Sequence, residues 1–393
     1  MNRLFDPALI ADPYPHYARW RETDPIQRAP SPSQIFPEQW FLFRHAEVTQ
    51  ALRDSRLGRD WHAVAPGQSR RDSLPEPLRA LVELVDGWML VVDPPLHTEL
   101  RGAVSDAFRP RALAGLEDSI ARRAEALLAR APLAGGVFDV LADFALPLTS
   151  NAIADVLGIP EAERSEFLRA TRGLEAVFGG GPAQLQRAAV AARELSLLFE
   201  RLIAVTRDGL LARFADSRGE QRRRAIGTCI LLYGAGFATT VHAIGNGVLA
   251  LARHPEACAE LRADPSLLPS AVEEILRYDP PTQRSQRFAH ESLELGGRLV
   301  PKGALIVPVL GSANRDPEVF ADPERFDVRR DSRAQVAFGG GIHSCLGAWL
   351  ARLEVRVAIA ALLRRVPHLN LADEPLEWRE SAARGLRRLP LVL

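Results

Sequence analysis

The 393-residue chain is 47% hydrophobic and 25% charged, enough apolar material for a large core and unlike a disordered composition. Its 49 basic and 49 acidic residues cancel, which removes any bulk electrostatic reason to expect nucleic acid or an anionic membrane as partner. Three scattered cysteines, Cys229, Cys258 and Cys345, argue against a disulfide-stapled secreted scaffold, so a reducing, cytoplasmic setting is expected. Residues 1–7 lack the apolar run of a signal peptide, and no uninterrupted apolar stretch approaches the ~20 residues of a membrane span.

Residues 1–100 are punctuated by Asp12-Pro13, Asp24-Pro25 and Asp93-Pro94-Pro95, which predicts short elements joined by ordered loops. Residues 39–43 read as a strand and 46–52 as a short helix, whereas 57–87 show no clear period and predict a mobile surface loop. From 96 to 280 the pattern is helical, with apolar recurrences over 112–131, 141–157, 186–213 and 223–253, broken at Gly179-Gly180-Gly181-Pro182 and Asp216-Ser217-Arg218-Gly219. Alternating segments at 293–295 and 304–307 predict a small sheet, and a last long helix near 346–365 precedes an extended tail. Strand-rich parts near 20–60 and 285–310 flank this helical core. With no repeat and no linker, residues 1–393 are expected to form one domain, mainly α with a minor β part.

The most informative segment is Phe338-Gly339-Gly340-Gly341-Ile342-His343-Ser344-Cys345-Leu346-Gly347. It sets a cysteine between a glycine-rich loop and a long helix, where free N–H groups and the positive helix end favour a thiolate and predict a lowered thiol pKa. The glycines let a flat ligand approach the backbone. At this spacing the loop resembles the Phe-x-x-Gly-x-His-x-Cys-x-Gly signature of the cytochrome P-450 superfamily. The resemblance implies that Cys345 is the axial metal ligand of haem b iron, with Phe338 and Gly347 shaping the loop. It implies too that the fold is the cytochrome P-450 fold, with haem loop and last helix over 338–366.

Further landmarks follow in chain order. Glu274-Ile275-Leu276-Arg277 matches a Glu-x-x-Arg signature whose i, i+3 spacing puts both charges on one helix face, and Arg325 resembles the third member of that buried cluster. His97 and Arg101, four apart and so on one face, join Arg287 and His343 as the donors expected for the haem propionates. Cys229 and Cys258 match no motif and are expected to be ordinary core cysteines.

Within 223–253 the stretch Ala235-Gly236-Phe237-Ala238-Thr239-Thr240 concentrates small residues where a haem would lie. By resemblance to Ala-Gly-x-acid-Thr-Thr, the catalytic residues are Ala235, Gly236 and Thr239, the threonine standing beside bound dioxygen. The acid position is Ala238, which cannot carry a proton. The implied activity is a monooxygenase that hydroxylates or epoxidises a small to medium apolar metabolite, the thiolate favouring O–O cleavage. Radical or aryl coupling, peroxide-dependent oxidation and a haem sensor or carrier without turnover stay open.

The pocket is expected to involve 57–88, 170–185, 232–236, 281–285 and 384–387, with Gln283 and Arg284 as polar selectors. Nothing resembles a flavin, nicotinamide or iron–sulfur module, so electrons would come from a ferredoxin or flavodoxin-like donor with its reductase. Arg109, Arg111, Arg333 and Arg352 are candidate contacts for it.

Overall fold

The apolar recurrence of the middle of the chain becomes a stack of helices around the longest one, Gly219–Arg253, whose 35 residues reach about 52 Å at ~1.5 Å per residue. The computed structural model describes residues 7–31, 36, 38–67, 74–76, 78–131, 135–174, 177, 182–381 and 383–393. The central helix packs on Leu146–Leu157, Ala348–Arg365, Pro182–Val205 and Leu268–Tyr278. Close approach depends on its glycines: a Cβ at Gly236 would lie 2.6 Å from Ile153 Cγ1, and one at Gly247 2.9 Å from Ile275. The helix starts four residues before the apolar pattern does, because Glu220 pairs with Arg223 and Arg224 and supports an exposed first turn.

Other boundaries depart from the sequence expectation for local reasons. The helix expected over 186–213 is two, Pro182–Val205 and Gly209–Ala212. Gly209 has φ +65° and packs so closely on Gly158 that a Cβ would lie 2.6 Å from its Cα. The segment expected over 141–157 opens as a wide π turn, Val140–Ala145, before Leu146–Leu157 begins with Pro147 in its first turn. Residues 57–87 do not form one irregular loop, since Trp61–Ala63 is a 3₁₀ turn and Leu78–Asp86 a helix that buries Leu81. Residues 68–73 and 77 of that segment lie outside the described residues, as do Gly179, Gly180 and Gly181.

The strand expected over 39–43 is realised as Glu38–Leu42, which pairs antiparallel with Ile26–Pro30 and parallel with Leu305–Pro308. Arg287–Ala289 and Leu57–Gly58 complete this five-stranded sheet. Alternate side chains leave on opposite faces. Trp40, Leu42 and Ile306 join one apolar cluster with Val48, and Phe41, Phe43 and Val307 join another with Tyr17 and Phe288. The tail returns as Pro390–Val392 between Val137–Asp139 and Asn370–Leu371. Two helical stretches, Val140–Leu157 and Gly219–Arg253, are long and apolar enough to cross a membrane, but 67% and 72% of those windows is buried inside the protein.

Candidate active site

The loop before Cys345 is shaped by backbone hydrogen bonds. Gly339 N–H donates to Val336 O (2.9 Å), Cys345 N–H to Phe338 O (2.9 Å) and Ser344 N–H to Gly341 O (3.1 Å), while Val336 N–H is held by Asn314 Oδ1 (2.7 Å). Gly339 and Gly341 have φ near +70°, and a Cβ on Gly341 would lie 2.4 Å from Leu52 O, so the turn requires glycine there. Around Gly347 and Gly339, by contrast, a Cβ would meet nothing within 4 Å, which leaves open space on that side of the loop. Phe338 is clamped by Arg352, whose guanidinium lies 4.5 Å from the ring centroid.

Cys345 is exposed, whereas Cys229 and Cys258 are buried in the core as expected. The expectation of an acidified thiol is not met. Surrounding protein raises the Cys345 pKa by desolvation, and this outweighs the Gly347 N–H and the cations Arg101 and Arg352, which lower it. Ala348–Arg365 is capped by Gly347, so Cys345 also stands outside the helix end rather than on it.

Behind the loop, two helices and a strand bring cations together. His97 and Arg101 both lie on Leu96–Ser105, and the His97 ring is 4.3 Å from that of His343. His97 Nε2 is buried without a hydrogen-bond partner, and burial lowers the His97 pKa to about 4. The Arg101 side chain makes no hydrogen bond or ion pair with any described residue. Arg287 uses Nη1 on Ser285 Oγ (3.1 Å) and Gln286 O (2.8 Å). Its pKa falls to about 9 through burial and the nearby Arg59. Arg59 itself is lowered to about 10 by burial, in spite of Asp93.

Asp93 is the acid of this cluster, and it is spoken for. It accepts from the Arg59 and Asp60 N–H groups (2.8–2.9 Å) and from His343 Nε2 (3.2 Å). Burial opposes its ionisation, but those bonds hold its pKa below the carboxylate range. His343, expected as a propionate donor, therefore faces Asp93 with one of its two nitrogens. Arg59 and Asp93 go unrecognised in the sequence as site residues, because 33 intervening residues, the Leu78–Asp86 helix among them, separate them in the chain. The cis Pro94-Pro95 bond follows Asp93 directly.

Proximal support comes from Glu274 and Arg277, both fully buried. Arg277 donates to Glu274 through Nε (2.6 Å) and Nη2 (2.8 Å). Glu274 also accepts from Asp327 N–H (2.9 Å), Ser332 Oγ (2.7 Å) and Arg330 Nε (3.3 Å). Arg325 is not the third charge of this cluster: its side chain is 71% exposed, and only its carbonyl accepts from Arg277 (3.3 Å). The turn closed by Arg325 N–H on Asp322 O points it outward, and Arg330 occupies the position inside.

On the central helix, Ala235 is exposed in the middle of an otherwise buried run, and Gly234, Gly236, Ala238 and Thr239 are half-buried around it. Thr239 Oγ1 donates to Ala235 O (3.2 Å), which loosens the helical ladder there. Next to it, Thr240 turns its hydroxyl to Gly236 O (3.5 Å) and approaches Glu354 of the following helix. Glu354 is fully buried with neither carboxyl oxygen in a hydrogen bond of good geometry, and desolvation raises its pKa well above the carboxylate range in spite of Thr240. Gln283 borders a cleft beside Arg284, and its Oε1 is buried without a hydrogen-bond partner. It is buried and donates to Pro280 O (2.8 Å) and Tyr14 Oη (3.3 Å).

These residues fit a haem. Among the described residues no group of three or more His, Cys, Asp or Glu forms a metal cage, so a metal at Cys345 must bring most of its own ligands, as porphyrin iron does. Arg101, Arg287 and His97 carry unspent donor capacity beside a fully committed Asp93, which is the environment two propionates would neutralise.

The arrangement, a cysteine beside open space and unspent cations, is that of a prosthetic-group enzyme, and comparison with known proteins gives the family. A family model described as Cytochrome P-450 matches residues 207–376. The chain is 37% identical to the vitamin D(3) 25-hydroxylase of Pseudonocardia autotrophica over 99% of its own length and 96% of that protein. It is 38% identical to the cytochrome P-450 monooxygenase PikC of Streptomyces venezuelae over 98% and 91%. The crystal structure of CalO2 superposes with a TM-score of 0.89 at 33% identity, covering 99% of this chain and 98% of that one. The chain belongs to the cytochrome P-450 family, and it is a haem-dependent monooxygenase with that fold.

Proposed function

We propose that the protein binds haem b through Cys345 and inserts one oxygen atom of dioxygen into a small to medium apolar metabolite of secondary metabolism, working in the cytoplasm. The observation that carries this reading is Cys345 presented by a glycine loop that leaves open space beside it, next to cations short of counter-charge. The bound haem supplies the activation of dioxygen, and the thiolate donates electron density to its iron. The sum is substrate C–H plus dioxygen, two electrons and two protons, giving substrate C–OH plus water.

The chain's own residues hold and steer. His97, Arg101, Arg287 and His343 anchor the propionates, with Asp93 fixing the His343 ring and Arg59 adding charge. Phe338, Gly339 and Gly347 keep the loop flat beside the sulfur. Ala235 and Gly236 open space over the haem face, and Thr239 offers a hydroxyl there. With alanine at 238, a proton held on Glu354 beside Thr240 is a buried source that does not depend on the missing acid. The same alanine favours a second reading, oxidative coupling, in which two hydrogen atoms from phenolic substrate, with two donor electrons and two protons, reduce dioxygen to two waters and no oxygen enters the coupled product.

A ferredoxin or flavodoxin-like donor, with its reductase, would deliver the electrons. Its docking face would include Trp349 and Ile342, 58% and 55% exposed close to Cys345 in the chain, with Arg109 and Arg111 as candidate cationic contacts. Arg352 does not serve there. It is spent in a bidentate pair with Glu273 (2.5 and 3.0 Å) and on Phe338. Arg333 is paired with Asp331 (2.6 Å).

Turnover with a surrogate ferredoxin system under isotopically labelled dioxygen tests the reading. A product carrying one labelled oxygen is expected. A coupled product without label would move the assignment to coupling, and ligand binding with no turnover would make the protein a carrier.

A further inference from the structure

We infer that His242 relays protons to Thr239 and takes the place of the acid that Ala238 lacks, a conclusion that rests on the oxygenase reading above and adds a residue to its machinery. At 3.6 residues per turn Ala235, Ala238, Thr239, His242 and Asn246 share one face of the central helix. A helical side chain leans back over the turn before it. The His242 imidazole therefore covers the turn that holds Ala238 and Thr239, four and three residues earlier. Ala235, Ala238 and Thr239 are the accessible positions of this face, and it closes at His242, which is 6% exposed.

The ring is held as a relay requires. Its Nδ1 is buried without a hydrogen-bond partner, a condition that folded proteins keep for atoms with a chemical role. Nδ1 lies against the tail: a Cβ on Gly385 would come within 2.1 Å of it, so a side chain at 385 would displace the imidazole. Burial, with Arg379 nearby, lowers the His242 pKa to about 4. At neutral pH the ring is uncharged, and an uncharged imidazole accepts a proton at one nitrogen while it donates from the other. One turn on, Asn246 continues the polar face. Its Nδ2 donates to Asp279 O (3.0 Å) and Arg384 O (3.2 Å), and its Oδ1 is buried without a partner. Arg384, next to Gly385 in the chain, lines a cleft with Tyr17, Gln283 and Ser381 whose roughly 50 Å³ is room for a few waters. Protons enter from that side. His242 passes one to the Thr239 hydroxyl, which gives up its own to dioxygen as the donor's electrons reduce it, and the imidazole is reprotonated from the cleft.

The test needs no organic substrate. With a surrogate ferredoxin system the haem-loaded protein reduces dioxygen, which leaves as hydrogen peroxide after two electrons and two protons or as two waters after four of each. Peroxide formed per dioxygen consumed therefore measures proton delivery. His242→Phe, which fills the space, and His242→Gln, which hydrogen-bonds without carrying a proton, should both raise that ratio about 3-fold over wild type. Adding Ala238→Glu to His242→Phe should bring it back, which a merely structural loss would not allow. The C–O stretching frequency of the ferrous carbonyl, a readout independent of turnover, should shift in both single variants because the Thr239 hydroxyl loses its partner. A ratio unchanged in both variants, a rise that Ala238→Glu does not reverse, or an unshifted C–O frequency would each overturn the assignment. A thiolate-type carbonyl absorption band in wild type keeps the oxygenase reading standing in all of those cases; an imidazole-type band removes that reading and the relay with it.

Discussion

Glu354 and Ala238 are the two side chains whose chemistry departs most from what their positions suggest. The Glu354 pKa stands above its ordinary value of 4.5, so the folded protein keeps a proton that the unfolded chain gives up. Stability from this group is therefore complete below about pH 4 and falls as pH rises toward the folded pKa, by ~1.4 kcal/mol per pH unit at most. Glu354→Gln removes that dependence. Its stability relative to wild type, from denaturant titrations at pH 5 and pH 8, should rise with pH, and a difference independent of pH would show Glu354 to be ionised in the folded protein. At 238 the prediction concerns electrons. Ala238→Glu restores an acid beside Thr239 and should raise product formed per electron pair several-fold, measured as product against reductant consumed; an unchanged or lower yield would show that proton supply is not limiting.

Between elements, the buried Glu274 and Arg277 pair joins Leu268–Tyr278 to the chain that runs on to the Cys345 loop, through Asp327, Arg330 and Ser332. Arg277→Met removes the bidentate partner of a fully buried carboxylate and should cost about 3–5 kcal/mol in chemical denaturation of the haem-loaded protein. Adding Glu274→Leu should not recover it, because the Asp327 N–H, Ser332 and Arg330 then lose their shared acceptor. A double variant as stable as wild type would contradict this. This lock also shows what the sequence can and cannot reveal. Glu274 and Arg277 are legible because i, i+3 spacing on an amphipathic helix fixes a common face. Arg330 and Ser332 are not, because they reach Glu274 over an irregular path on which Arg325 and Arg330 look alike until a turn at Asp322 sends one outward. The same holds for Asp93 and Arg59. The thiol pKa fails because desolvation by the surrounding protein, which a linear motif does not reveal, outweighs the nearby donors and cations. The strands of the sheet, whose alternate residues serve two apolar clusters, and the small-residue window of the central helix are local patterns and survive intact.

For the whole molecule, the zero net charge leaves recognition of a donor to local features. Arg111 has no ion pair among the described residues, while Arg109 is shared with Asp106 (3.1 Å). Reversing Arg109 and Arg111 to glutamate should slow reduction by an acidic ferredoxin about 10-fold at low ionic strength, with the difference closing at high salt, and leave reduction by dithionite unaffected. A rate loss independent of salt would place the docking face elsewhere. All these expectations depend on a single bond between the chain and its haem. The most direct measurement is the ferrous carbonyl absorption spectrum of haem-loaded wild type beside Cys345→His. The account predicts the band of a thiolate-ligated haem in wild type and its replacement by the band of an imidazole-ligated haem in the variant; the imidazole type already present in wild type, or one spectrum common to both proteins, would contradict it.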